Sequence, residues 1–157
     1  MANAGLDYAG IKRMTTPYCH HRRVEFRDTD AAGIVHFSVF FNYMEEAEHA
    51  LLRSLDFSVL TLDEQGPFSW PRVAVKCDYK APLRFGEAFE ITVRVARLGR
   101  TSVTYAFDFR RGLTEIATAE VVAVCCRLGP DRPTPVPIPE ALAKKLRGMM
   151  APGPSDV

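Results

Sequence analysis

Residues 18–128 read as an α+β domain, a curved antiparallel sheet of about five strands wrapped around one long central helix. Two patterns predict this. The stretch 38–55 repeats its apolar side chains at three- and four-residue steps, the period of a helix with one apolar face. One segment before it and four after it alternate apolar and polar residues, the period of a half-buried strand. A helix with a single apolar stripe has to bury it, and the sheet is the surface on offer.

The first strand is expected over Tyr18 to Arg27, with Val24 and Phe26 on one face and Arg23, Glu25 and Arg27 on the other. DTDAAG then breaks it, because Asp bonds its own backbone and Gly admits positive φ. The helix follows from about Ser38, a candidate N-cap, to Leu55. Phe40, Met44, Ala47, Leu51 and Leu55 form its stripe, joined by Phe41 and Leu52. Asn42, Glu45, Glu46, Glu48, His49 and Arg53 lie mostly off it. Eighteen helical residues span about 27 Å, the length of a small sheet.

After a loop at Gly66 and Pro67, Val73, Val75, Cys77 and Tyr79 alternate with charged and small residues. Phe89, Ile91, Val93 and Val95 form the next strand, and Val103, Tyr105, Phe107 and Phe109 the one after. The last strand, roughly Glu115 to Leu128, ends apolar on both faces, as a central strand does. Five prolines between Pro130 and Pro139 stop the sheet, since proline has no amide to give a ladder. A short helix over Pro139 to Arg147 fits proline at its first turn and Gly148 at its end. Residues 1–16 read as a loose leader, 17–150 as one domain and 151–157 as a disordered tail.

The formal net charge of +1 over 157 residues excludes a whole-molecule footprint for nucleic acid. There is no run of eighteen apolar residues and no apolar signal core near the N-terminus, so a cytoplasmic protein without a membrane span is expected. Cys19, Cys77, Cys125 and Cys126 show no CxxC spacing and read as small buried hydrophobes. Glu46 and His49 form a single Glu-x-x-His, better suited to a polar helix face than to a metal. No GxSxG, GxGxxG or Walker-type loop is present.

The segment VEFRDTDAAGIVHFSVFFNYMEEAEHALLRSL carries the chemistry. By pattern alone Asp30 suits an Asx turn or a helix entry, and Asp28 a turn or an arginine partner. The run Asp28-Thr29-Asp30-Ala31-Ala32-Gly33-Ile34-Val35-His36-Phe37, between a strand and a long helix, resembles the D-x-D-x-x-G-I-V motif of hotdog thioesterases of the 4-hydroxybenzoyl-CoA thioesterase group. APLRFGE at 81–87 is similar to that family's next turn. The resemblance implies a hotdog fold and hydrolysis of an acyl-CoA to a free acid and CoA. It makes Asp30 the catalytic carboxylate, as nucleophile or as base for water. The N–H near Phe37 becomes an oxyanion donor and Gly33 the residue that lets substrate approach. In some relatives an aromatic precedes a His, whereas here His36 precedes Phe37; His36 is expected to orient Asp30 or water, or simply to pack.

By the same resemblance Arg97, Arg100, Thr101 and Ser102 occupy a turn that touches CoA phosphates, where guanidinium forks suit phosphate oxygens. CoA is then part of the substrate, and no metal or other cofactor is required. A homodimer assembling to a homotetramer is implied, with active sites between subunits. Two other functions share the fold: hydration or dehydration of an acyl thioester, and acyl-CoA binding without catalysis.

Overall fold

The computed structural model describes residues 17–150; the expected leader and tail lie outside the described residues. In chain order the strands are β1 Tyr18–Arg23, β2 Thr61–Asp63, β3 Gly66–Ser69, β4 Arg72–Tyr79, β5 Ala88–Leu98, β6 Ser102–Arg111, β7 Thr114–Val124, β8 Cys126–Arg127 and β9 Thr134–Pro135. Helix α1 runs Val39–Ser54 between β1 and β2, and α2 runs Glu140–Arg147 at the end. One antiparallel sheet has the order β1-β5-β6-β7-β4, and a smaller one has the order β2-β3-β8-β9.

The period-2 pattern works out as burial on one face. Phe89, Ile91, Val93 and Val95 of β5 and Val103, Tyr105, Phe107 and Phe109 of β6 are all buried, in one core with Phe40, Tyr43, Met44, Ala47, Leu51 and Leu52 of α1. Phe40 packs edge-on against Phe109, and Tyr43 tilts against Phe89. Leu142, Ala143 and Leu146 of α2 close the same core.

Several sequence expectations are corrected. The first strand stops at Arg23 and turns through a 3-10 helix, Phe26–Asp28, which leaves Phe26 exposed instead of beside Val24. The last strand breaks at Cys125, where the chain leaves one sheet and joins the other as β8. The small sheet was not legible, because strands of two to four residues are too short to show a period. Ser38 does not cap α1: its backbone is already helical, and its hydroxyl pairs with His36 Nδ1 at 2.8 Å. Glu48, expected on the polar side, is only 1 % exposed and faces the core.

The cysteines divide. Cys125 and Cys126 are buried as expected, Cys77 is half-buried and Cys19 is exposed, because β1 is an edge strand and Cys19 points away from α1. The outward sheet face is also less apolar than the sequence suggested. Arg94 pairs there with Asp108, and Lys76 with Asp78 at 2.9 Å. Exposed apolar surface gathers instead along edge strand β4 and the start of α1, at Val73, Val75, Tyr79, Phe37 and Phe41.

Candidate active site

The DTDAAG segment is a tight hairpin between β1 and α1. Thr29 bridges Val35, the Asp30 N–H donates to the Ile34 carbonyl at 2.9 Å, and Gly33 N–H closes the turn onto the Asp30 carbonyl at 2.9 Å. Gly33 sits at φ +73°, a conformation that strains any side chain. The hairpin is fastened to the later motif, because Val35 N–H donates to the carbonyl of fully buried Leu83 at 2.8 Å. APLRFGE and DTDAAG therefore meet.

The two aspartates of the motif part ways. Asp28 is buried and accepts hydrogen bonds from Tyr43 Oη at 2.7 Å and from the Glu25 N–H at 2.9 Å, with Arg22 at 3.9 Å. The Tyr43 hydroxyl is driven far above its usual range, first by burial and then by Asp28, so it stays a proton donor. Asp28 is thus a structural pin, as turn chemistry suggested. Asp30 is half-buried. Its Oδ1 accepts the Ala32 N–H at 2.8 Å, an Asx turn, while among the described residues no donor reaches Oδ2.

Asp30 lines an open pocket of about 450 Å³ with Ile34, Phe37, Phe40, Tyr79 and Leu83. The Tyr79 hydroxyl donates to the Phe37 carbonyl at 2.8 Å and joins β4 to the start of α1. Burial lifts that phenol to about 12. Val39 N–H holds the His36 carbonyl at 3.0 Å. In a trans peptide the following N–H, that of Phe37, points the opposite way. It has no acceptor among the described residues. The sequence pointed to Asp30, Gly33 and Phe37; it gave no sign that Tyr79 joins them, since that residue looked like one more strand aromatic.

His36 is not brought onto Asp30. Its Nδ1 pairs with the Ser38 hydroxyl and its ring lies against Phe37, centroids 4.5 Å apart. Nor does the Arg97–Ser102 turn reach this pocket within one chain. Ser102 opens β6, whereas Phe109, level with Tyr79 through Ala117, lies seven residues along. At strand rise that is roughly 23 Å. Glu46 pairs with Arg22 at 2.8 Å and His49 lies 3.8 Å from Glu45, so the two residues of the Glu-x-x-His pair turn to different partners. Another concavity of about 450 Å³ includes Asp63, but Arg127 grips both its oxygens at 2.7 and 3.0 Å, so that carboxylate is taken up by an ion pair.

An antiparallel sheet sharing one core with a helix on one face is the hotdog arrangement. Slr0204 of Synechocystis, a 1,4-dihydroxy-2-naphthoyl-CoA thioesterase, matches that fold at a TM-score of 0.75 over 84% of this chain and 96% of its own, with 22% identity. The model of the thioesterase-like superfamily matches residues 24–146, so the chain belongs to that family and is a thioester hydrolase. The 1,4-dihydroxy-2-naphthoyl-CoA hydrolase of Synechococcus elongatus is 27% identical over 121 residues, 76% of this chain and 89% of its own. The structure of BH1999 gentisyl-coenzyme A thioesterase is 31% identical, covers 79% of this chain and 98% of its own, and gives a TM-score of 0.71.

Proposed function

We propose that the protein hydrolyses an acyl-CoA to a carboxylic acid and CoA, with Asp30 as the catalytic carboxylate. One observation carries this: Asp30, with a carboxylate oxygen that no donor reaches, and Phe37, with a backbone N–H that has no acceptor among the described residues, line the same aromatic pocket. A thioester carbonyl needs both. The N–H stabilises the oxygen as it gains charge, while Asp30 attacks the carbon or takes a proton from water that does. In the first case the C–S bond breaks to release CoA, and water then cleaves the acyl-aspartyl anhydride. In the second, water supplies the new oxygen directly. Gly33 keeps the turn free of side chain beside the carbonyl. His36, held by Ser38, keeps the packing role.

The pocket's Phe37, Phe40 and Tyr79, with relatives named for naphthoyl-CoA and gentisyl-CoA, favour an aryl acyl group. A panel of aryl and straight-chain CoA thioesters, read by released thiol, tests this. Aryl substrates are expected to give the higher kcat/KM, and no turnover of any thioester would overturn the whole reading.

The Arg97–Ser102 turn is the proposed CoA contact, supplied to the pocket by another subunit. Its distance from Asp30 in one chain supports that sharing, and so does the exposed apolar edge along β4. Arg100→Ala is expected to raise KM for CoA thioesters roughly tenfold, about 1.4 kcal/mol for one phosphate contact, with kcat kept. A thioester lacking the nucleotide should barely respond. Equal losses on both substrates would make the turn structural. Light scattering at micromolar concentration is expected to find a homodimer or a homotetramer; an active monomer would remove the shared site.

A further inference from the structure

Strand β1 alternates cleanly. Tyr18, His20 and Arg22 face inward and are half-buried, and Arg22 reaches Glu46 on α1. Cys19, His21 and Arg23 point outward and are exposed. Antiparallel pairing sets Glu90 of β5 directly opposite His21, on the same outward face. Three potential ligand atoms meet there: a Cys19 sulfur, a His21 ring nitrogen and a Glu90 carboxylate oxygen all lie within 4.8 Å of one another. His21 Nε2 is 3.9 Å from Cys19 Sγ, and His21 Nδ1 is 3.7 Å from Glu90 Oε1. The strand register holds the three positions at this spacing without help from any loop.

The donor set is selective. Thiolate with imidazole suits zinc and related borderline ions, while calcium and magnesium prefer oxygen alone. Zinc centres with three protein ligands keep a fourth position for water or a further ligand. We propose that Cys19, His21 and Glu90 form a three-ligand site for a zinc-class divalent ion on the outer face of the sheet. On binding, the cysteine S–H proton passes to solvent and a metal–sulfur bond forms; the imidazole and the carboxylate bind through lone pairs, and no electron is transferred. The site lies across the sheet from α1 and is separate from thioester hydrolysis.

Cobalt(II), added to the purified full-length protein, tests this with its own spectrum. The expected result is a near-ultraviolet thiolate-to-cobalt band with visible bands of a four-coordinate centre, bleached by stoichiometric zinc. Cys19→Ser is expected to abolish the thiolate band, and His21→Ala and Glu90→Gln to weaken cobalt binding at least tenfold. Cys77→Ser should leave it intact. All these positions except Cys77 are exposed surface, and circular dichroism checks each fold. Absence of the band overturns the site. So does a band that survives in Cys19→Ser, or one indifferent to both His21→Ala and Glu90→Gln, which would be a simple thiol adduct. Thioesterase turnover in the three surface variants is expected to match the parent, so failure here is distinguishable from failure of the Asp30 assignment.

Discussion

Asp30→Asn is expected to fold normally and to lose about 10²–10⁴-fold in thioester hydrolysis, the range typical of a lost catalytic base. The fold should survive because the Asx turn needs only an acceptor for the Ala32 N–H, and an asparagine carbonyl provides one. What disappears is the negative charge at Oδ2. Asp28→Asn should behave differently. Asp28 holds Tyr43, the Glu25 N–H and Arg22, so its change is expected to lower stability more than the chemical step. Released thiol measures turnover, and urea unfolding followed by circular dichroism measures stability. Near-parental turnover in folded Asp30→Asn would remove Asp30 from the chemistry.

Arg72→Ala is expected to cost on the order of 3 kcal/mol of stability. Glu48 is almost fully buried, and Arg72 Nη2 meets its Oε2 at 2.8 Å while Oε1 has no partner among the described residues. Removing the cation strands a buried charge, a loss of about 3–5 kcal/mol. The side chain of Arg72 is 24% exposed, so water can follow it out and the lower end applies.

The loss should depend on pH. Burial pushes the Glu48 carboxyl up from its ordinary 4.5, and Arg72 pulls it back. A carboxyl raised in the folded state is favoured there in its protonated form. Its stabilising contribution is present below the unfolded value and is lost as pH rises through the folded one. Without Arg72 the folded value rises further and the loss widens. Arg72→Ala should therefore unfold at clearly lower urea than the parent at about pH 8, and at nearly the same urea at about pH 4. A gap that does not change with pH would mean that Arg72 acts through packing alone.

The Arg72–Glu48 pair marks where sequence reading stopped. The stripe of α1 was legible because Phe40, Met44, Ala47 and Leu51 recur at helical spacing, but spacing alone counts a glutamate as polar. Glu48 goes inside because an arginine 24 residues away along the chain, on an edge strand, can reach it. Ser38 failed as a cap for a local reason, since its own backbone is already helical. Its hydroxyl found His36 instead.

The sequence by itself determined the mix of helix and antiparallel strands and the position of Asp30 in the turn before the helix, because each rests on a repeat or motif contained within a short stretch. The tertiary structure decided the rest. It separated Asp28 from Asp30 by giving one a tyrosine and an arginine and leaving the other beside a pocket. It brought Tyr79 to Phe37 across 42 residues and kept the Arg97–Ser102 turn at the far end of the sheet. These are outcomes of strand order and register, which fix the neighbours of every side chain, and register is set by pairing between segments distant in the chain.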